Sequence, residues 1–124
     1  MRGLSVLANT ASWLFVITTE PYQHGLDSDP AVDLVMAAGA FGQQVSVLFM
    51  GEGSAYLDTK ISPAEGESDL RKLLKSLPLY DVDDVFVLED TADNTPATLS
   101  ISAERITANR ASQLIADADH VVSF

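Results

Sequence analysis

WLFVITTEPYQHGLDSDPAVDLVMAAGAFGQQVSVLFM, residues 13–50, carries the pattern on which the fold turns. It opens on WLFVI (13–17), a short unbroken apolar run of the kind shown by a strand covered on both faces. After a polar loop, Asp29 can cap a helix whose first position is Pro30: aspartate accepts from the free amides of the first turn, and proline lacks the amide that would go unpaired there. Leu34, Val35, Ala38 and Phe41 then fall on one predicted face, and Gly42 is a natural stop. QVSVLFM (44–50) reads as a second strand, followed by the turn GEG (51–53).

The same alternation runs to the end of the chain. In ESDLRKLLKSL (67–77), Leu70, Leu73, Leu74 and Leu77 obey helical spacing, Glu67 stands four residues before Arg71, and Pro78 ends the run. DDVFVLE (83–89) predicts a third strand and DTADNTPAT (90–98) a polar loop. LSIS (99–102) alternates as a short fourth strand, and AERITANRASQLIADAD (103–119) reads as a helix with Ala111, Leu114, Ile115 and Ala118 on one side. HVVSF (120–124) is the last strand. Strand and helix in turn predict an α/β fold, a three-layer α/β/α sandwich with a mainly parallel sheet of about five strands. Residues 1–124 make one domain, with 1–11 as an N-terminal extension, an added arm or edge strand.

A chain of 124 residues buries roughly two thirds of the surface it exposes when unfolded, enough to fold without staples. Hydrophobic residues at 47% and charged ones at 20% place it among globular rather than disordered chains. It has no cysteine, which excludes disulfides, Cys-ligated zinc, iron–sulfur clusters and any thiol or persulfide chemistry on this chain. Seven Lys+Arg against 18 Asp+Glu give a net charge of −11. The excess is spread along the chain, −4 over residues 1–62 and −7 over 63–124. Such a surface repels phosphate backbones, so no direct nucleic-acid contact is expected, while a basic protein partner suits it. In MRGLSVLANTASWLFVI the polar Asn9, Thr10 and Ser12 interrupt what would otherwise resemble a signal peptide. No apolar segment reaches membrane-spanning length, and the expected compartment is the cytoplasm.

Ligands of open parallel sheets collect beyond the carboxyl ends of the strands. Three loops answer that description: Thr18–Ser28, Gly51–Ser62 and Glu89–Thr98. In the first, His24 can act as a general base assisted by Tyr22 or Glu20, yet a solvated loop histidine is the commoner case. His120, beside Asp119, reads as a strand-end residue, and the two histidines stand too far apart in sequence to imply one metal site. GEGSAY (51–56) resembles a phosphate-cradling loop, but neither the dinucleotide fingerprint nor P-loop spacing is present, and a turn is the commoner use of such glycines. The acids of YDVDD (80–84) lack the ligand pattern of a calcium loop and run straight into a strand. Ser5, Ser54 and Ser100 stand in no G-x-S-x-G context. Trp13, Tyr22, Phe41, Tyr56, Leu57, Leu79 and Tyr80 together exceed the aromatic and aliphatic loop material a small monomer needs, so part of it is expected to face another subunit.

HGLDSDPAVDLVMAAGAFGQQVSVLFMGEG (24–53), LLKSLPLYDVDDVFV (73–87) and IADADHVVSF (115–124), in this order and spacing, resemble the DsrE/DsrF-like (DsrEFH) family and within it the TusC/DsrF branch. The resemblance leaves out residues 1–11, and little of it falls on 54–68. It implies a small subunit of a cytoplasmic sulfur-relay assembly, a heterohexamer of three related chains, with TusB/DsrH-like and TusD/DsrE-like partners and sulfur-carrier proteins around it. The Tus version serves 2-thiolation of the tRNA wobble uridine; the Dsr version serves sulfur oxidation. In such assemblies the sulfur-carrying cysteine lies on the TusD/DsrE-type chain, and this sequence has none to match it. The expectation is a non-catalytic subunit without cofactor or metal, in contact with its partners through Tyr22, His24, Tyr56, Leu79 and Tyr80. The rival readings are a flavodoxin-like module holding a small anion or nucleotide at Gly51–Ser54, and a small acid–base enzyme using His24.

Overall fold

The structure, a computed structural model of the chain, describes residues 11–22, 29–61, 70–89, 96 and 98–124. Five strands form one parallel sheet: β1 (Ser12–Ile17), β2 (Gln44–Phe49), β3 (Asp84–Leu88), β4 (Glu104–Ile106) and β5 (His120–Ser123), in the order β4-β3-β2-β1-β5. Among the described residues three α-helices accompany them, α1 (Pro30–Ala40), α2 (Leu70–Lys75) and α3 (Ala108–Asp117), together with 3₁₀ segments at Gly51–Leu57 and Leu77–Tyr80. From β1 to β4 each strand is laid beside the last in one direction, so right-handed crossovers must keep α1 and α2 on one face. The step from β4 back to β5 runs the other way, which puts α3 on the opposite face.

Register and burial agree with that layering. Phe15, Val47 and Val85 share one rung, and Ile17, Phe49 and Val87 the next. All six join Val32, Val35, Leu70, Leu74 and Leu77 in the larger core cluster. Between these residues lie Leu14, Val16, Leu48 and Phe86, which pack with Ile106, Ala111, Leu114 and Ala118 in the second. The three-layer sandwich predicted from the alternating pattern is therefore observed, with a fully parallel sheet.

Three local readings change. The inward face of α1 is Ala31, Val32, Val35 and Gly39, whereas Leu34 is 44% and Phe41 83% exposed. LSIS is not a strand of the sheet: Leu99 makes a single antiparallel bridge to Asp58, and Ile101 packs against the core. The fourth strand is Glu104–Ile106, taken from the stretch read as the start of the last helix. Thr107 ends that strand by capping α3, its Oγ1 accepting from the Arg110 amide at 3.3 Å. The extension 1–10 and Glu67 lie outside the described residues.

Candidate functional site

The carboxyl ends of the strands open onto the loop after β1, the 3₁₀ segment after β2 and the start of α1. Asp29 organises this mouth. One of its oxygens, Oδ1, accepts from the amides of Ala31 at 3.0 Å and Val32 at 3.1 Å, the cap foreseen from the Asp-Pro pair. The other, Oδ2, accepts from the Tyr56 hydroxyl at 2.5 Å. Tyr56 is only 4% exposed, with its ring tilted against Phe49. Burial first, then the Asp29 hydrogen bond and charge, push its phenol far above the ordinary tyrosine range, so it stays a neutral donor.

Gly53 explains why the chain turns here as it does. A Cβ at this position would lie 1.9 Å from the Ile17 carbonyl oxygen, so only glycine lets the 3₁₀ segment press onto the end of β1. This brings Ser54 to full burial, with no partner for its Oγ. Of the two glycines of GEGSAY, Gly53 serves close packing and Gly51 a left-handed turn, φ 57°, with open space around it. The Gly53 amide points at the Met50 carbonyl at 3.0 Å rather than at an open anion cradle. Beside it lies a dent of about 60 Å³ between Thr19, Glu20, Asp29 and Phe124.

Tyr22 closes one side of the mouth from the loop after β1. It adopts a left-handed backbone, φ 60°, unusual for a bulky residue, and its hydroxyl accepts from the Leu70 amide at 3.0 Å. That contact ties the start of α2 to the end of β1 across 48 residues. His24 lies outside the described residues, so the base proposed there gains no geometry. His120 stands at the other end of the sheet, its ring tilted against Trp13 with centroids 4.3 Å apart. Trp13 donates from Nε1 to Gln43 at 3.1 Å, and Asp119 accepts from the Ser12 amide at 2.9 Å.

Of the remaining residues named from the sequence, Leu57 is fully buried and Trp13 half-buried. Tyr80 is half-buried in the 3₁₀ segment before β3, and Leu79 beside it is 84% exposed. Gly39 of α1 fits directly against this segment: a Cβ there would meet the Tyr80 carbonyl oxygen at 2.2 Å. The acids Asp81, Asp83 and Asp84 are all exposed at the entry to β3. Sequence reasoning missed the Asp29–Tyr56 pair, because the two residues stand 27 positions apart and nothing local joins them.

A parallel five-stranded α/β domain whose sequence carries no thiol thus defines the class. The chain belongs to the DsrE/DsrF-like family, whose model matches residues 11–124. It is 33% identical over 75 residues to the Protein TusC homolog of Pseudomonas aeruginosa, a match covering 60% of this chain and 63% of that protein, less than two thirds of its length. To the Protein TusC homolog of Vibrio parahaemolyticus it is 29% identical over 97 residues, 75% of this chain and 82% of that one. Both matches support the TusC/DsrF branch. The crystal structure of the ychN protein from E. coli superposes with a TM-score of 0.74 at 19% identity, covering 93% of this chain and all of that one, which shows the shared fold. Among the described residues no helix is long and apolar enough to cross a membrane.

Proposed function

We propose that this chain is a non-catalytic subunit of a sulfur relay of the TusC/DsrF kind, which holds and positions a cysteine-bearing TusD/DsrE-type partner. One observation carries the reading: a member of a family matched over residues 11–124 and related to TusC homologs has no cysteine anywhere in its sequence. Sulfane sulfur moves when a thiolate attacks it and the donor sulfur leaves as a thiolate. A serine hydroxyl, un-ionised at neutral pH, cannot take that role. The contribution left to this chain is assembly. Of the interface set, Leu79 and Tyr80 offer surface directly, while Tyr22 and Tyr56 use their hydroxyls internally and shape the loops around them. The net charge of −11 favours encounter with a basic sulfur carrier. In this reading the complex is cytoplasmic, includes a TusB/DsrH-like chain, and serves 2-thiolation of the tRNA wobble uridine.

The test is co-expression with the cysteine-bearing DsrE/DsrF-like chain of the same organism. A stable complex on size exclusion, with persulfide confined to the partner's cysteine, is expected. Deleting the gene should remove 2-thiouridine from tRNA hydrolysates. Intact 2-thiouridine with defective sulfur oxidation would move the assignment to the Dsr pathway. Turnover of a sulfane donor by the purified chain alone would refute the subunit reading.

A further inference from the structure

We infer that the outer face of α1, continued by Leu79 and the groove beside it, is the docking surface for an apolar helix of a heterologous, less acidic subunit. The inference rests on the subunit reading above and adds where the contact lies and what kind of surface meets it.

Helix α1, PAVDLVMAAGA, has one charged residue, Asp33. Its inner face buries Ala31, Val32, Val35 and Gly39, yet its outer face is apolar except for the exposed Asp33, with Leu34 44% exposed, Ala37 half-buried, Ala40 exposed and Phe41, just past the helix, 83% exposed. A helix with a single polar side chain on its open face leaves more apolar surface in water than a surface helix normally does. Helix α3 of the same chain shows the contrast: Asn109, Arg110, Ser112 and Gln113 meet the solvent there, as a water-facing surface requires. A second exposed apolar residue stands on the element that the end of the helix packs against. Through the Gly39–Tyr80 contact the end of α1 abuts the 3₁₀ segment that presents Leu79, 84% exposed. Beyond Pro78 lies a groove of about 410 Å³, floored by the buried Leu74, Leu77, Val82 and Val85, with Lys75 and Asp83 at its rim.

The occupant follows from charge. A second copy meeting this face about a two-fold axis would set −11 against −11, with Asp33 near its own mate and no cation on either α1 to offset it. A neutral or basic partner meets no such repulsion. The small Ala37 and Ala40 allow a helix to approach closely beside Leu34 and Phe41, so an apolar helical stripe that carries a donor or a cation opposite Asp33 fits best.

Hydrogen exchange on the co-expressed complex reads the contact directly. Amides of α1 and of residues 77–85 should exchange more slowly in the complex than in the free chain. Phe41→Asp with Leu79→Asp, both at exposed positions, should keep the circular dichroism of the parent and raise the Kd at least about 30-fold. Ile115→Asp, on the far face, should leave the Kd unchanged. If the complex forms but protection and sensitivity fall on Ile115 and Val121 instead, the docking surface is wrong and the subunit reading stands. If the isolated chain dimerises in sedimentation and Phe41→Asp abolishes the dimer, the heterologous occupant is wrong. Failure to form any complex with the cysteine-bearing chain would bring down both.

Discussion

Replacing Tyr56 by Phe tests whether the Asp29–Tyr56 pair holds the mouth of the sheet together. The ring is 4% exposed and stays in place, so the variant removes one hydroxyl and nothing else. Asp29 keeps its Oδ1 bonds to Ala31 and Val32, but Oδ2 loses its donor. A hydrogen bond to a charged acceptor contributes about 1.5–3 kcal/mol. Water entering the adjoining dent of about 60 Å³ can recover part of this, which leaves an expected loss of about 1–2 kcal/mol. Asp29→Ala should cost more, about 2–4 kcal/mol, because the helix cap is lost and a buried hydroxyl is left without a partner. The double variant should fall short of the sum, since both single changes break the same bond.

The pH dependence supplies a sharper check. Because the folded phenol is held far above the ordinary range, the folded chain binds this proton more tightly than the unfolded one. The contribution is complete below the unfolded value, near 10, and is lost as pH rises from there toward the folded value. Above pH about 10 the parent should therefore lose about 1.4 kcal/mol per pH unit relative to Tyr56→Phe, the other tyrosines cancelling in the comparison. Urea unfolding followed by Trp13 fluorescence between pH 8 and 11 measures this difference. By pH 11 the parent's advantage should have shrunk by about 1.4 kcal/mol. An advantage that stays constant across that range would refute the reasoning.

Gly39→Ala would place a Cβ 2.2 Å from the Tyr80 carbonyl oxygen; despite alanine's better helix propensity, thermal unfolding should show a loss of about 1–3 kcal/mol. A raised Tm would mean the α1 contact is looser than described. Ser54→Ala removes a fully buried hydroxyl with no partner, so denaturant titration should find stability unchanged or raised by up to about 1 kcal/mol. Thr107→Ala deletes the cap of α3 and should cost about 1 kcal/mol, with Thr107→Ser restoring most of it.

Where the sequence carried a local signal, the structure could be read from it. The Asp29-Pro30 pair marks the start of α1 by chemistry that needs no tertiary partner, and unbroken runs such as WLFVI and VFVL announce strands covered on both sides. The facing of α1 was illegible because PAVDLVMAAGA has too few polar residues to set a phase; any rotation buries an apolar stripe. The fourth strand was hidden for another reason. ERI is three residues long and two of them are exposed, so its place is set by pairing with Phe86, Val87 and Leu88 rather than by its own pattern. Tyr56 and Leu57 looked like surface material because they follow two glycines, whereas the close approach allowed by Gly53 carries them into the core.

The two ends of the molecule therefore make opposite use of apolar side chains. At the carboxyl ends, where an α/β enzyme keeps a crevice, Tyr56 and Leu57 fill the space beneath Gly53, and Asp29 acts as helix cap and hydrogen-bond acceptor. At the other end, α1 and the 3₁₀ segment before β3 leave Phe41 and Leu79 each more than four fifths exposed. Covering such side chains is worth about 1.5–3 kcal/mol each, comparable to a substantial part of a marginally stable domain's margin. A partner that buries both would stabilise this chain as well as bind it. The complex should accordingly unfold at a higher temperature than the free chain, and Phe41→Asp with Leu79→Asp should remove the increment while leaving the free chain's own Tm nearly unchanged. An increment that survives both substitutions would show that the stabilising contact lies elsewhere.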